Sequence, residues 1–544
     1  MLVGARCLVL LLAVTAQGQQ QPHIIFMVAD DMGWNDVSFH GADQIPTYNL
    51  DALGYNGVIL NSHYVLPVCT PTRSALMTGR YPIHTGMQGV PMFAAEPRGL
   101  PFGKILPEYL KDLGYVTRAV GKWHLGFYKK EYTPTYRGFD SHVGYWTGFT
   151  SYYDHITEDT YPGNRVLSGY DFRRNMDVAW DLSGKYATDV FTDESVKIIH
   201  EHDKSRPLFL YLSHLAAHAG NDGKLLEAPQ EEVDKFRHIP EANRRTYAAM
   251  ISKMDESVGR VVEALQDNGM LNNSIIVFIS DNGAPTVGMF RNWGSNFPFR
   301  GIKATLWEGG VRGVGLIWSP LLSDPGRVSE KMMHVSDWLP TLYSAAGGDV
   351  SNLTSMDGVN QWRSLVEDTE SPRTEVLLNI DEKAKTAAYR FGQWKLVIGS
   401  FGKNGSYDEY FGEHGRSTSN PVYNISSLVN SQAWKSISAS QSTVSDNQIQ
   451  QLRKLASVTC SKGGSYQRVS DCNPSLNKMP CLFNVLSDPC ETKNVADYNK
   501  NLATNIYNRL VYQRQTLVRQ LNVPFDVDGA DPTKFNNTWS PWME

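Results

Sequence analysis

Short runs of β-branched and aliphatic residues alternate with helical patterns through the first two thirds of the chain. His23–Ala29 reads HIIFMVA and Ser274–Ser280 reads SIIVFIS. Both runs are apolar nearly throughout, which predicts strands covered on both faces. Gly114–Gly121, Pro207–Leu215 and Gly313–Trp318 are further strand candidates. Among them, Leu106–Leu113 has a helical pattern, and Arg244–Asn268 sets Met250, Met254, Val258, Val261 and Leu265 along one helical face. This alternation predicts an α/β domain built on a large, mostly parallel sheet.

From about residue 375 the texture changes. Ala388–Ile398 (AYRFGQWKLVI) predicts a hairpin or a bent strand, Leu482–Leu486 a strand and Leu502–Leu521 a helix. Arg416–Ser445 is rich in Ser, Asn and Gln and reads as a long surface excursion. The expected organisation is a leader over residues 1–18, a catalytic domain over 19–375, and a smaller α+β domain over 376–544 with an antiparallel sheet.

Composition narrows the class. The chain has 544 residues, of which 41% are hydrophobic and 20% charged, so it can bury a large core and global disorder is excluded. A formal charge of −5 argues against nucleic acid as a partner. No apolar run reaches the roughly 18–20 residues that a membrane span needs. Arg6, the apolar run Cys7–Val14 and small residues up to Ala16 or Gly18 form a secretory leader pattern. Sequons at Asn272, Asn352, Asn404, Asn424 and Asn536 agree with a secretory route, lysosomal or extracellular. Of 6 cysteines, Cys7 falls in the leader and Cys69 stands alone. Cys460, Cys472, Cys481 and Cys490 predict two disulfides, with near-neighbour pairing (Cys460–Cys472 and Cys481–Cys490) expected among three possibilities.

The polar residues that matter follow the strand candidates. Asp30-Asp31 comes directly after one apolar strand and Asp281-Asn282-Gly283 directly after another. Ligands of α/β sheets bind beyond the C-terminal ends of strands. Carboxylate and amide oxygens there suit Ca²⁺ or Mg²⁺ rather than zinc. Cys69 precedes Thr70, a candidate cap, and Pro71, a suitable first helical residue, so the thiol stands at a helix N-terminus with Arg73 one turn later. Lys122 and His124 follow the third strand candidate and share a face if strand geometry continues. His218 follows the fourth, and Lys303 precedes Trp307-Glu308-Gly309-Gly310.

Together these motifs identify a family. Cys69-Thr70-Pro71-Thr72-Arg73 followed by Thr78-Gly79-Arg80 resembles the signature of the formylglycine-dependent sulfatases. Gly114–His124 is similar to their second signature, Asp30, Asp31, Asp281 and Asn282 match their calcium ligands, and the resemblance adds the modified Cys69 to that ligand set. Trp307–Gly313 and Asp337-Trp338-Leu339-Pro340-Thr341 are most similar to the arylsulfatase B branch. The resemblance implies an alkaline-phosphatase-like α/β sandwich. It also implies one Ca²⁺, and conversion of Cys69 to Cα-formylglycine by a formylglycine-generating enzyme. The hydrated aldehyde would attack sulfur while Arg73, Lys122, Lys303 and the calcium hold the sulfate oxygens. His218 or Lys303 would protonate the leaving alcohol, and His124 would take the proton that releases sulfate. Counted with the metal, these groups leave the pocket with an excess of two positive charges, an anion trap in an acidic protein. Thr72 stands where Ser is commonest, and the segment Ala219–Lys224 departs from arylsulfatase B. The sugar specificity of that branch is therefore not carried over. Gly144–Tyr153, Gln88–Gly103 and His40 are candidates for the cleft rim. The rival readings are a phosphatase or phosphonate hydrolase of the same fold, and a non-catalytic glycan-binding protein.

Overall fold

A computed structural model describes residues 20–402, 405–408, 412–460, 472 and 480–544. The leader pattern and the Asn404 sequon lie outside the described residues. A ten-stranded sheet runs in the order Arg327–Ser329, Val58–Leu60, Gly315–Trp318, Ser274–Ser280, His23–Ala29, Leu208–Ser213, Val116–Lys122, Ser141–Tyr145, Arg173–Arg174, Asp177–Val178. The five strands from Ser274–Ser280 to Ser141–Tyr145 are mutually parallel. Gly315–Trp318 pairs antiparallel with both its neighbours, and the far edge is antiparallel too.

The near-continuous apolar runs are explained by two cores, one on each face. Ile25 and Met27 point into one with the helices Ala187–His200 and Ala242–Asp267. Ile24, Phe26 and Val28 point into the other with Cys69–Thr78, Leu106–Asp112 and Trp338–Ala345. Period-two alternation thus delivers apolar residues to both layers. The expected strand at Gly114 begins at Val116 instead. Gly114, at φ 92°, ends the preceding helix, its N–H bonded to Lys111.

The second sheet is antiparallel, in the order Glu375–Asp381, Thr386–Phe391, Trp394–Ile398, Cys481–Asn484. It covers the helix Lys500–Gln515, which ends before the predicted Leu521. Beyond it the chain runs extended against Ile83–Gly86, with Val518 and Leu521 N–H groups bonded to carbonyls there. Lys395 bridges the two parts of the molecule, its ammonium 2.9 Å from both Glu308 and Glu491, all three fully buried.

Two expectations are corrected. The disulfides join Cys460 to Cys490 and Cys472 to Cys481, not Cys460 to Cys472 and Cys481 to Cys490 as expected. Cys481 opens the last strand of the sheet, and the pair Cys472–Cys481 nests inside the pair Cys460–Cys490. Arg416–Ser445 is a surface excursion only in its first part, where residues 416–424 are coil with none buried. The rest holds the helices Ile425–Val429 and Gln432–Ser438, which bury Leu428, Ala433, Trp434 and Ile437 in the first core, followed by Asp446–Ala456 with Ile449 and Leu452.

Candidate active site

The register of the parallel strands gathers the site. Ala29 lies beside Ser280, Val28 beside Ser213, and Ser213 beside Gly121. The residues that follow each strand therefore leave the sheet at one edge: Asp30-Asp31, Asp281-Asn282, the turn His214–His218, and Lys122-Trp123-His124. Gly121 is required for this closeness, because at φ 95° a Cβ there would meet the Ser213 carbonyl at 1.9 Å.

Charge alternates through the cluster. Lys122 Nζ donates to Asp30 Oδ2 at 2.6 Å, and Arg73 Nη2 donates to Asp281 Oδ2 at 2.8 Å while lying 3.7 Å from Asp30 Oδ1. Lys303 Nζ lies 2.7 Å from both carboxylate oxygens of Asp31. Asn282 Nδ2 donates to Asp31 Oδ1 at 2.6 Å, and the Asp31 N–H donates to Asp281 Oδ1 at 3.2 Å. Arg73 is further held by Ser213 at 2.5 Å and Tyr211 at 3.3 Å. Burial opposes the charge on Lys303, but Asp31, Cys69 and Asp30 outweigh it and raise its pKa. Burial likewise opposes the charge on Arg73, and Asp281 with Asp30 more than restores it. The cluster is buried except at Lys303, whose side chain is 10% exposed, so these pairings act at reduced dielectric.

Cys69 is the first residue of the helix Cys69–Thr78 and is buried. Burial pushes its thiol up, against the pull of Lys122 and Lys303. Thr70 does not cap the helix, as the sequence suggested. Its hydroxyl instead accepts from the Met92 N–H at 3.1 Å and lies 3.3 Å from His124 Nε2. Thr72 donates to the Asp281 carbonyl at 2.7 Å and accepts from the Leu66 N–H at 3.0 Å, which fastens this helix to the metal-type loop.

The two histidines are held by carbonyls. His124 Nε2 donates to Met92 O at 2.9 Å, leaving Nδ1 buried without a partner. The strand ends at Lys122, and His124 sits at φ 56°, so the shared face is made by a turn rather than by strand geometry. His218 Nδ1 donates to Ala219 O at 2.6 Å, which makes Nε2 the bare nitrogen, 3.4 Å from Asp31 Oδ2. Burial holds both imidazoles far below the usual range, reinforced by Lys122 at His124; at His218, Asp31 opposes the shift.

Donor chemistry favours a hard cation. Asp30, Asp31 and His218 offer ligand atoms within 4.8 Å of one another. Asp30 Oδ1 and Asn282 Oδ1 are buried with no hydrogen-bond partner. Buried oxygens of this kind are costly unless a cation or donor meets them, and three carboxylates with an amide fit Ca²⁺ or Mg²⁺.

Three supporting residues complete the cluster, two of which, Asn292 and Phe290, sequence reasoning missed. Asn292 donates to the Asp31 carbonyl at 2.8 Å and to the Ala217 carbonyl at 2.9 Å. Phe149 stacks on His218 with ring centres 5.7 Å apart, and Phe290 approaches the same ring at 5.2 Å. Only Phe149 lay in the aromatic rim segment. His40 instead stacks on Trp34 and bonds its carbonyl.

A family model described as Sulfatase matches residues 22–348. Arylsulfatase J of Mus musculus is 38% identical over 535 residues, spanning 97% of this chain and 81% of its own length. The N-acetylgalactosamine-6-sulfatase of Homo sapiens is 30% identical over 371 residues, 64% of this chain and 66% of its own. The crystal structure of Ps i-CgsB in complex with k-i-k-neocarrahexaose superposes with a TM-score of 0.70 at 26% identity, covering 95% of this chain and 97% of that one. The strand-edge cluster thus sits inside a matched region that carries the whole ten-stranded sheet, and the chain belongs to the sulfatase family, as a hydrolase of sulfuric esters.

Proposed function

We propose that the chain hydrolyses the sulfate ester of a sugar or aryl alcohol at the cluster around Cys69, in the manner of arylsulfatase B, after passage through the secretory route to a lysosomal or extracellular site. One observation carries this reading: three carboxylates and three basic side chains from separated segments converge on a single buried cysteine at a helix N-terminus. When present, formylglycine at position 69 supplies a geminal-diol nucleophile, and a Ca²⁺ held by Asp30, Asp31, Asp281 and Asn282 supplies Lewis-acid polarisation.

The chain's own groups do the rest. Arg73, Lys122 and Lys303 hold the anionic ester oxygens in a largely buried site, where preorganised charge is usually the largest catalytic contribution. Lys303 Nζ and His218 Nε2 flank Asp31; Lys303 Nζ carries the proton that can pass to the departing alcohol, whereas the bare His218 Nε2 can serve as acid only after taking a proton up. His124, with Nε2–H committed to Met92, presents Nδ1 as the base. Asn292, Phe149 and Phe290 hold Asp31 and His218 in place. A sulfated sugar is supported by the names of the relatives, an N-acetylgalactosamine-6-sulfatase and a neocarrahexaose-bound structure. The loop after His218 is fastened by Asn221, whose amide donates to Ser151 Oγ and to the Ile156 carbonyl at 2.8 Å each.

The test is mass spectrometry of the Cys69 peptide alongside sulfate and phosphate release from matched aryl esters. Expected are an aldehyde at position 69, sulfate release in preference to phosphate, and loss of turnover in Cys69→Ala by at least about 10³-fold. An unmodified thiol in active material, or turnover retained by Cys69→Ala, ends the proposal.

A further inference from the structure

The loop 292–296 brings no reactive group to the cluster, yet it fastens the cluster at several points. Asn292 holds the Asp31 and Ala217 carbonyls. The Ser295 N–H donates to Asp36 Oδ2 at 2.9 Å, and Ser295 O accepts the Asn35 N–H at 2.9 Å, which ties the loop to the segment beyond Asp31. Asn296 turns towards the other side. Its Oδ1 accepts the Ala284 N–H at 2.7 Å, and its Nδ2 donates to the Ala284 carbonyl at 2.9 Å and to the Gly301 carbonyl at 3.3 Å.

These bonds join two segments of the cluster. Ala284 follows Asp281-Asn282-Gly283, and Gly301 stands two residues ahead of Lys303. The Ala284 carbonyl that Asn296 holds also accepts the Lys303 N–H, at 3.3 Å. The next N–H, that of Ala304, donates to Pro67 O at 2.7 Å, just ahead of the Cys69 helix. The backbone of Lys303 is thus fixed between the carboxylate loop and the nucleophile helix, and from there its Nζ reaches Asp31 at 2.7 Å. Asn296 and Ala284 are both fully buried. A primary amide supplies one acceptor and two donors from a single side chain, which matches the demand here; Asp lacks the donors and Ser lacks the reach.

We propose that Asn296 is a positioning residue, setting Lys303 against the Asp281–Asn282 segment so that its ammonium meets the oxygen of the departing alcohol. The inference rests on the sulfatase reading above and on the part that Lys303 plays in it. As the S–O bond breaks, the electron pair stays on the alcohol oxygen and an N–H of Lys303 supplies the proton. The need for that proton grows with the basicity of the alcohol, so a misplaced ammonium penalises poor leaving groups most. A simple loss of folded enzyme would lower the turnover of every ester by the same factor.

The experiment measures kcat/KM on 4-nitrophenyl sulfate and on unsubstituted phenyl sulfate for wild type, Asn296→Ala, Asn296→Ser, Lys303→Ala and the double variant Asn296→Ala/Lys303→Ala. Asn296→Ala is expected to lose about 100-fold on phenyl sulfate and no more than about fivefold on 4-nitrophenyl sulfate. Lys303→Ala should be skewed in the same direction, and the double variant should lie within about twofold of Lys303→Ala alone, because the two residues act through one group. Asn296→Ser, a smaller perturbation, carries the test should Asn296→Ala fail to fold. Crystal structures of the Asn296 variants give a readout independent of turnover: the contact between Lys303 Nζ and Asp31 should be broken.

Equal losses on the two esters, losses that multiply in the double variant, or a Lys303→Ala variant without the skew overturn the positioning role and leave the sulfatase reading standing. An intact Lys303–Asp31 contact in the variant structures overturns it as well. If wild type releases sulfate from no ester, the sulfatase reading falls separately, and the proposal falls with it even where the structures show Lys303 displaced.

Discussion

Thr72 carries more than a side-chain preference in a motif. Its hydroxyl both donates to the Asp281 carbonyl and receives the Leu66 N–H, so one oxygen ties the Cys69 helix to the carboxylate loop. Thr72→Val keeps the shape and removes both bonds, leaving a buried N–H and a buried carbonyl unpaired. The expected cost is about 2–4 kcal/mol, read from chemical denaturation, while Thr72→Ser stays within about 1 kcal/mol of wild type. Equal stability of Val and Thr at this position would show that the hydroxyl fastens nothing. The contrast with Asn292 and Phe290 shows which residues a sequence makes visible. Asp30, Asp31, Asp281, Asn282, Lys122 and His218 each follow an apolar strand or its turn, so their place at the sheet edge is legible. Asn292 and Phe290 act on Asp31 and His218 across more than seventy residues of chain, by way of a loop with no period. Thr70 misled for a related reason. A hydroxyl ahead of proline looks like a cap, but Met92 and His124, distant in sequence, compete for it.

At the level of elements, the central strands were legible because both faces are buried and most residues in them are apolar. The helices Gln432–Ser438 and Asp446–Ala456 were not, because each has one narrow apolar stripe set among Ser, Asn and Gln. Ala433, Trp434 and Ile437, then Ile449 and Leu452, are the anchors, and they enter the core that the long helix Ala242–Asp267 also covers. Asn49 Oδ1 accepts the Ala433 N–H at 3.1 Å, and Asn56 Oδ1 accepts the Val444 N–H at 3.0 Å, so both ends are tied to the helix Tyr48–Tyr55 and its C-cap. A true surface excursion would tolerate Ile437→Ala within about 0.5 kcal/mol. A core element should lose about 2–5 kcal/mol, because the cavity left behind cannot fully collapse. Urea unfolding of this variant distinguishes the two. The disulfide pairing was illegible on similar grounds: spacing alone cannot say that Cys481 begins a strand while Cys490 lies beyond its far end.

Across the whole molecule, burial of titratable groups sets a pH dependence whose sign depends on which population is larger. His40, His63 and His214 are held near 3, and His142 and His155 near 4, mainly by burial. In the unfolded chain these imidazoles take protons as pH falls through about 6.5; in the folded protein they do not until far lower. The unfolded state therefore binds more protons, and stability is lost on acidification from about pH 6.5 downward. Buried carboxylates oppose this. Burial raises Asp51 to about 6 and Asp255 to about 7, against hydrogen bonds from Ser38 and Tyr423 to the first and from Leu50 and Asn49 to the second, and it raises Glu491 to about 7 against the pull of Lys395. These take up protons in the folded state first, so each contributes stability that grows as pH falls from about 7 towards 4. Near pH 5.5 these five histidines and His23, which burial holds near 4, outweigh the three carboxylates by roughly two to three protons, a slope of about 3–4 kcal/mol per pH unit. Unfolding free energy should thus drop steeply between pH 6.5 and 5, and Asp255→Asn should make the drop steeper by about 1 kcal/mol per unit, because it removes an opposing group. Calorimetric or urea titrations across pH 4.5–8 measure both slopes. Stability that is level or rising towards pH 5 would mean that the histidine-lined core opens to water, and with it the edge of the sheet on which the catalytic cluster is built.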